Sequence, residues 1–388
     1  MINSKNEFKL KPEDKLILSC GHSQVNDELE KKIIKLVNLD LDWEYILDMV
    51  TRHRLRPLLY YNLNKICPDK VPDDVLVSLR EFYHGNVRKN LMMTGELVKV
   101  MKLLEENGVN AVTYKGPVLA QMAYGNVGLR EFRDIDIFIA KSDVAKAKNI
   151  MNSNGYYLDP PIEVDNSTYM KLDCEYRFKN KSGVLIELNW NFEGPFFSFK
   201  SDSNRLFSDL IFTKINNFEI ITPSAENEFL MMCIHCAKHN WNRLLWIMDL
   251  VEVVKNKDIN WQAVWKISKE LGVNRILIIN LILIRDLKGG RIPDEIQLNP
   301  DKEAINIVMQ IKKRIFENDK SSWNLIEKFF LDLKKRDNIQ IGIKDCIYGF
   351  SKPSYDDYQD FKISPYFFKF YPFIRPFLLL KRYGKNPI

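Results

Sequence analysis

From Asp42 to Ile66 the apolar positions of DWEYILDMVTRHRLRPLLYYNLNKI recur every three or four residues. NLMMTGELVKVMKLLEENG (90–108) repeats that spacing and closes at Gly108. Such a period gathers apolar side chains on one helical face, and a glycine ends the helix. Residues 1 to about 107 therefore read as helical. At Val109 the texture changes. VNAVTY (109–114) is a short β-rich run, KGPVLAQMAYG (115–125) a turn and then a helix, and DIDIFIA (134–140) a strand. SDVAKAKNIMNSNGY (142–156) predicts a helix capped by Ser142 or Asp143 and stopped by Gly155. CEYRFKNKSGVLIELNWNF (174–192) predicts two strands joined by a turn at NKSG. The order β-α-β-α-β-β makes a small α/β unit. At TPSAENEFLMMCIHCAKH (222–239) the helical period returns, with Thr222 as N-cap and Pro223 in the first turn. Helices are expected to about residue 350. The division is then a helical segment over 1–107, an α/β core over 108–222 and a helical segment over 223–388 with an aromatic, basic tail.

Composition narrows this picture little. The chain has 388 residues, 46% of them hydrophobic, enough for two or three folded domains. A formal charge of +6 suits phosphates or nucleotides and gives little support to a nucleic-acid partner. Cys233 and Cys236 form a CxxC inside a helical pattern without a second pair, which reads as buried reduced thiols. The polar N-terminus, MINSKNEFKLKPEDK, has no apolar signal core. The longest apolar run, ILIINLILI (276–284), contains Asn280 and is too short to span a bilayer. The expected location is cytoplasmic. The tail SPYFFKFYPFIRPFLLLKRYGKNPI (364–388) has two readings. It packs on the body, or Lys369, Arg375, Lys381 and Arg382 meet lipid phosphates at a membrane surface.

The chemistry concentrates in LREFRDIDIFIA (129–140). On a strand Asp134 and Asp136 point the same way, their Cα atoms roughly 7 Å apart, while Ile135 and Ile137 point into a core. Two like charges on one face weaken a sheet, and a divalent metal is the usual compensator. Glu187, in the apolar strand VLIELNW (184–190), supplies a third carboxylate. Magnesium prefers a few carboxylates plus waters and substrate phosphates. Upstream, Lys115 and Gly116 sit at a strand-to-helix turn. Gly116 lets the backbone approach a phosphate, and the following helix N-terminus favours negative charge. Arg130 and Arg133 stand just before the aspartates, placed to contact a triphosphate or pyrophosphate.

YKGPVLAQMAYGNVGLREFRDIDIFIA, GVLIELNWNF and HCAKHNWNRLLWIMDL, with the lead-in DWEYILDMVTRHRLRPLLY, resemble the uncharacterised nucleotidyltransferases of the polymerase-β-like superfamily. The resemblance covers roughly residues 40 to 255. It implies an α+β fold, with a small mixed-sheet polymerase-β-like core flanked by N- and C-terminal helical domains. It also implies catalysis by Asp134, Asp136 and Glu187 as metal-binding carboxylates, with Gly116 at the start of the nucleotide-binding helix. The activity implied is transfer of a nucleoside monophosphate from an NTP, ATP first among them, to a hydroxyl or phosphate acceptor. Two Mg²⁺ ions, or Mn²⁺ in their place, would serve it. Two departures bear on triphosphate binding: Lys115-Gly116-Pro117 replaces the superfamily's glycine–serine turn, and Asn189 stands where relatives carry histidine. The rival readings are a toxin-like transferase acting on tRNA ends, a nucleotide-binding regulator without turnover, and a scaffold with an incidental DxD.

His235 and His239 lie four apart, hence on one helical face, and Asp249 falls within roughly 40° of it if the helix continues. The pair has three readings: a hydrogen-bonded polar ridge between domains, a nucleotide contact with Arg243 beside it, or a metal site with only two nitrogen ligands. His53, in the basic stretch TRHRLRP, reads as a surface residue.

Overall fold

The computed structural model describes residues 9–191, 208–215, 217–288, 296, 298–316, 325–351, 353–361, 370–371, 373–375 and 377–378. Five helices lead: α1 (Pro12–Cys20), α2 (Asp27–Val37), α3 (Trp43–His53), α4 (Arg56–Ile66) and the long α5 (Asp73–Glu106). The helical period over 42–66 is interrupted once. Arg54 turns left-handed at φ 59°, and Leu55 returns its N–H to Val50 O at 2.8 Å. α5 stops where the glycine predicts. Gly108 takes φ 64°, and Val109 N–H reaches back to Leu104 O at 2.9 Å, satisfying a carbonyl the helix end leaves free.

The α/β unit follows. Its strands are β1 (Ala111–Thr113), β2 (Asp134–Ile139), β3 (Tyr157–Leu158), β4 (Glu175–Lys179) and β5 (Leu185–Asn189), in the sheet order β1-β2-β5-β4-β3. Helices α6 (Gly116–Tyr124), α7 (Val144–Ser153) and α8 (Asn166–Leu172) are interleaved. β2 and β5 run parallel, while the remaining neighbours are antiparallel, so the sheet is mixed. Ile135 and Ile137 are fully buried, as the alternation requires. The entry to β2 is clamped by α5. Asn90 Nδ2 donates to Val127 O at 2.6 Å and Arg130 O at 2.8 Å, and Asn86 Nδ2 to Gly128 O at 3.0 Å. Two buried amides thus replace the backbone partners that this turn lacks.

The hydrophobic period did not reveal a hairpin, β6 (Leu210–Ile215) with β7 (Phe218–Pro223). It overturns the expected cap of the next helix. Thr222 pairs with Ile211 in the hairpin, and Ser224 takes the N-cap, its side chain accepting from Asn227 N–H. α9 (Ala225–Lys238) and α10 (Leu244–Asn256) are separate helices, which removes the continuity that linked Asp249 to the histidine face. Asn240 and Trp241 break the chain between them at φ 51° and 50°. The indole of Trp241 is buried and donates to Asn280 Oδ1 at 2.9 Å. Burying that aromatic body offsets the cost of two left-handed residues.

The chain closes with α11 (Trp261–Leu271), α12 (Asn274–Lys288), α13 (Lys302–Phe316), α14 (Leu325–Lys334), α15 (Ile339–Ser351) and α16 (Tyr355–Phe361). One hydrophobic core joins residues of α1–α4, such as Leu16, Ile46 and Leu59, to Phe229, Ile247, Ile279 and Ile311 of the later helices. A second lies against the sheet, where Leu97, Val100 and Leu104 of α5 meet Ile135, Ile137 and Ile186. Cys233 and Cys236 are buried on α9. No helix among the described residues is long and apolar enough to cross a membrane. Arg375 does not face lipid: it is buried, donates to Gly349 O and lies 3.5 Å from Asp357. Lys369, Lys381 and Arg382 lie outside the described residues.

His53 is not a surface residue either. It is fully buried, its Nε2 3.1 Å from Ile315 O and its Nδ1 accepting Leu244 N–H at 3.0 Å. Burial, followed by the charge of Arg52, lowers its pKa to about 4. The folded protein then binds fewer protons than the unfolded chain between about pH 6.5 and pH 4, so stability falls as pH drops through that window. The contribution is about 3 kcal/mol. Urea unfolding at stepped pH should show a flatter acid slope for His53→Gln than for the native protein. An equal slope would exclude His53 as its source.

Candidate active site

A cavity of about 360 Å³ opens where the sheet face, the β1–α6 turn and the α9–α10 break meet. Its sheet wall is built by register. Asp136 stands opposite Glu187 across the parallel β2–β5 pair, and Glu187 stands opposite Arg177 on β4. Partners in register share a face, and so do residues two apart on one strand. Asp134, Asp136, Glu187 and Arg177 therefore form one polar surface, with Asn189 and Glu175 the next paired row.

Four carboxylates on this surface oppose one another. Burial raises Asp136 to about 6; Lys115 pulls it down, while Asp134 and Glu175 push it up. Glu187 is raised to about 8, by burial first and then by Glu175, Asp136 and Asp134. This is a donor set short of positive charge, and hard oxygen ligands of this type suit Mg²⁺ or Mn²⁺. In the conformation seen, Glu187 Oε1 lies 3.5 Å from Arg177 Nε. Among the described residues no three His, Cys, Asp or Glu side chains are already gathered to hold an ion. The residues fit a divalent cation by chemistry.

The turn carries backbone strain. Lys115 adopts φ 61°, ψ −156°, a region that belongs to glycine, and Gly116 follows at φ 46°. A Cβ on Gly116 would stand 3.3 Å from Asp134 O, so this turn lies directly against the start of β2. The strain delivers the Lys115 ammonium to the cavity, 3.2 Å from His235 Nδ1. An ammonium only donates, so Nδ1 accepts and the imidazole proton sits on Nε2. Burial, reinforced by Lys115, keeps His235 neutral, and burial with Lys238 lowers His239 to about 3. The rings of His235, His239 and Trp246 pack with centroids 4.6 to 4.9 Å apart. Lys115, Lys238 and Arg243 crowd this cluster with positive charge, which disfavours a metal at the histidine pair.

Of the residues singled out by sequence, Lys115, Gly116, Arg130, Asp134, Asp136, Glu187, His235 and His239 line the cavity. Arg133 is exposed and does not. Arg130 is no free triphosphate ligand. Its Nε and Nη2 donate to the two oxygens of Asp249 at 2.8 and 2.9 Å, and Tyr124 OH donates to the same carboxylate at 2.7 Å. That buried pair ties the entry of β2 to α10. Sequence reading missed Arg54, Glu175, Arg177 and Lys238. For Glu175 and Arg177 a signal existed: they alternate with the buried Tyr176 and Phe178, as Asp134 and Asp136 alternate with isoleucines. Nothing local marked Arg54 or Lys238.

A family model described as an uncharacterised nucleotidyltransferase matches residues 39–289, which include every element lining the cavity. No curated protein matches the chain.

Proposed function

The chain belongs to this nucleotidyltransferase family, and from that premise we propose that it moves a nucleoside monophosphate from an NTP to a hydroxyl or phosphate acceptor with divalent-metal assistance, releasing pyrophosphate. The observation that carries the reading is the acid row: Asp136 faces Glu187 across two parallel strands, Asp134 shares their face, and all three border one cavity beside the α6 N-terminus.

Asp134, Asp136 and Glu187 would hold the cation, which when bound neutralises phosphate charge and makes an acceptor hydroxyl more acidic. The remaining work belongs to the chain. Backbone N–H groups at the start of α6 face the donor phosphates, and Gly116 leaves them room to approach. Lys115, oriented by His235 Nδ1, adds a positive charge beside Asp136. The acceptor's proton passes to a carboxylate of the row. Holding both substrates in one half-closed cavity supplies the alignment on which phosphoryl chemistry depends.

Calorimetric titration of the four NTPs, as non-hydrolysable analogues with Mg²⁺, tests the reading. One analogue should bind the native protein in a Mg²⁺-dependent way, and Asp134→Asn/Asp136→Asn should lose that binding. Equal binding by native and double variant would remove the acids from the nucleotide site.

A further inference from the structure

The acid pair lies between two separate groups of cations. Lys115 bears on Asp136, at the α6 turn. Arg54 and Arg243 bear on Asp134, at the outer end of β2. Among the described residues neither arginine has an ion-pair partner. Glu131, the other acid near them, is engaged by Arg56 at 3.3 Å. The Arg243 guanidinium is stacked 5.3 Å from the centroid of Trp246.

Both arginines border the cavity at helix ends, Arg54 on left-handed backbone and Arg243 on extended backbone. Arg54 occupies φ 59°, ψ 43° at the end of α3, the position where glycine is the stabilising choice. Arg243 lies two residues past the left-handed Asn240–Trp241 break and is the extended N-cap of α10. Their like charges act on one another across the cavity. Burial, then Arg243 and Arg133, lowers Arg54 to about 10, and burial with Arg133 lowers Arg243. Two guanidinium groups that repel on one cavity wall without a carboxylate in ion-pair contact, one of them held by left-handed backbone, indicate an oxyanion between them.

We infer that Arg54 and Arg243 form a second anion subsite, distinct from the Lys115–α6 turn, which takes a phosphate group carried by the acceptor. The inference rests on the donor assignment above, which fills the Lys115 side with the NTP. Its consequence is a substrate class: the hydroxyl that receives the nucleotide belongs to a phosphorylated small molecule. The same guanidinium pair could instead hold the terminal phosphate of the donor, and the two sources give different results.

The test titrates inorganic phosphate, and separately the Mg²⁺-bound NTP analogue, into native protein, Arg54→Gly and Arg243→Gln. Native protein should bind phosphate equally well with and without saturating analogue. Each variant should weaken phosphate binding by about tenfold or more while changing analogue affinity less than about threefold. Arg54→Gly should melt no lower than the native protein, since glycine suits the left-handed position, so lost binding there does not report misfolding. Analogue that displaces phosphate, or variants that lose analogue and phosphate alike, would assign the arginines to the donor and overturn the inference. Phosphate binding untouched by either variant would overturn it as well. Native protein that binds no analogue, yet loses phosphate binding with the arginines, would fail the donor reading and leave the subsite standing.

Discussion

Replacing Asp136 by asparagine should lower pyrophosphate release from the bound NTP by roughly 10³-fold while raising the melting temperature of the metal-free protein. Both effects come from the same geometry. Asp136 is buried opposite Glu187 and two residues from Asp134 on the same face. Its carboxyl is raised to about 6 by burial, and Asp134 and Glu175 add to this against the pull of Lys115. A folded-state pKa above the unfolded value means that the ionised group opposes folding, increasingly so as pH rises through about 6. Asparagine keeps the shape and removes the charge. Near pH 8 the metal-free variant should gain on the order of 2 kcal/mol, seen in scanning calorimetry as a rise of a few degrees. Mg²⁺ should raise the melting temperature of the native protein and leave that of the variant nearly unchanged. A variant that turns over at the native rate, or melts below the native protein without metal, would contradict this role for Asp136.

Breaking the Arg130–Asp249 pair should cost about 3–5 kcal/mol, the range for removing one partner of a buried ion pair. In Arg130→Ala the Asp249 carboxylate keeps only the Tyr124 hydroxyl and stays buried between α6 and α10. Burial works against the guanidinium charge, and Asp249 outweighs it, so the Arg130 pKa rises above its ordinary value. The loss belongs to the orphaned charge more than to the pair itself. Arg130→Met/Asp249→Leu should therefore recover most of the stability lost by either single change. Denaturant unfolding of the two singles and the double measures it. If Arg130→Ala unfolds at native urea concentrations but loses nucleotide affinity, the guanidinium serves the ligand and not the fold.

The two predictions divide a motif that the sequence presents as one. In R-E-F-R-D-I-D the arginines and aspartates stand together, and proximity along the chain suggested a common task. The aspartates stay on the cavity face. Arg130 pairs with Asp249, more than a hundred residues further along the chain, and Arg133 faces solvent. A long side chain has several partners within reach, and its choice depends on which helix the fold lays against it. His53 shows the same limit. Its neighbours in TRHRLRP are basic, which suggested surface, yet α10 and α13 close over it and satisfy both ring nitrogens.

What the sequence by itself determined is the part set by short-range geometry. Alternation on a strand puts Asp134 and Asp136 on one face and the isoleucines on the other. A glycine at 116 and another at 108 mark where the backbone must turn left, and a helical period on either side encloses a small sheet. These follow from periods of two and 3.6 residues and from glycine's freedom at positive φ. Only the tertiary structure decided that β2 lies parallel to β5, which sets Glu187 against Asp136. Only it brought Arg54 and Arg243 from distant helix ends to the same cavity, ended α9 before Asp249, and formed the β6–β7 hairpin whose pairing claims Thr222. Each of these depends on which surfaces bury one another, an energy shared among residues far apart in the chain.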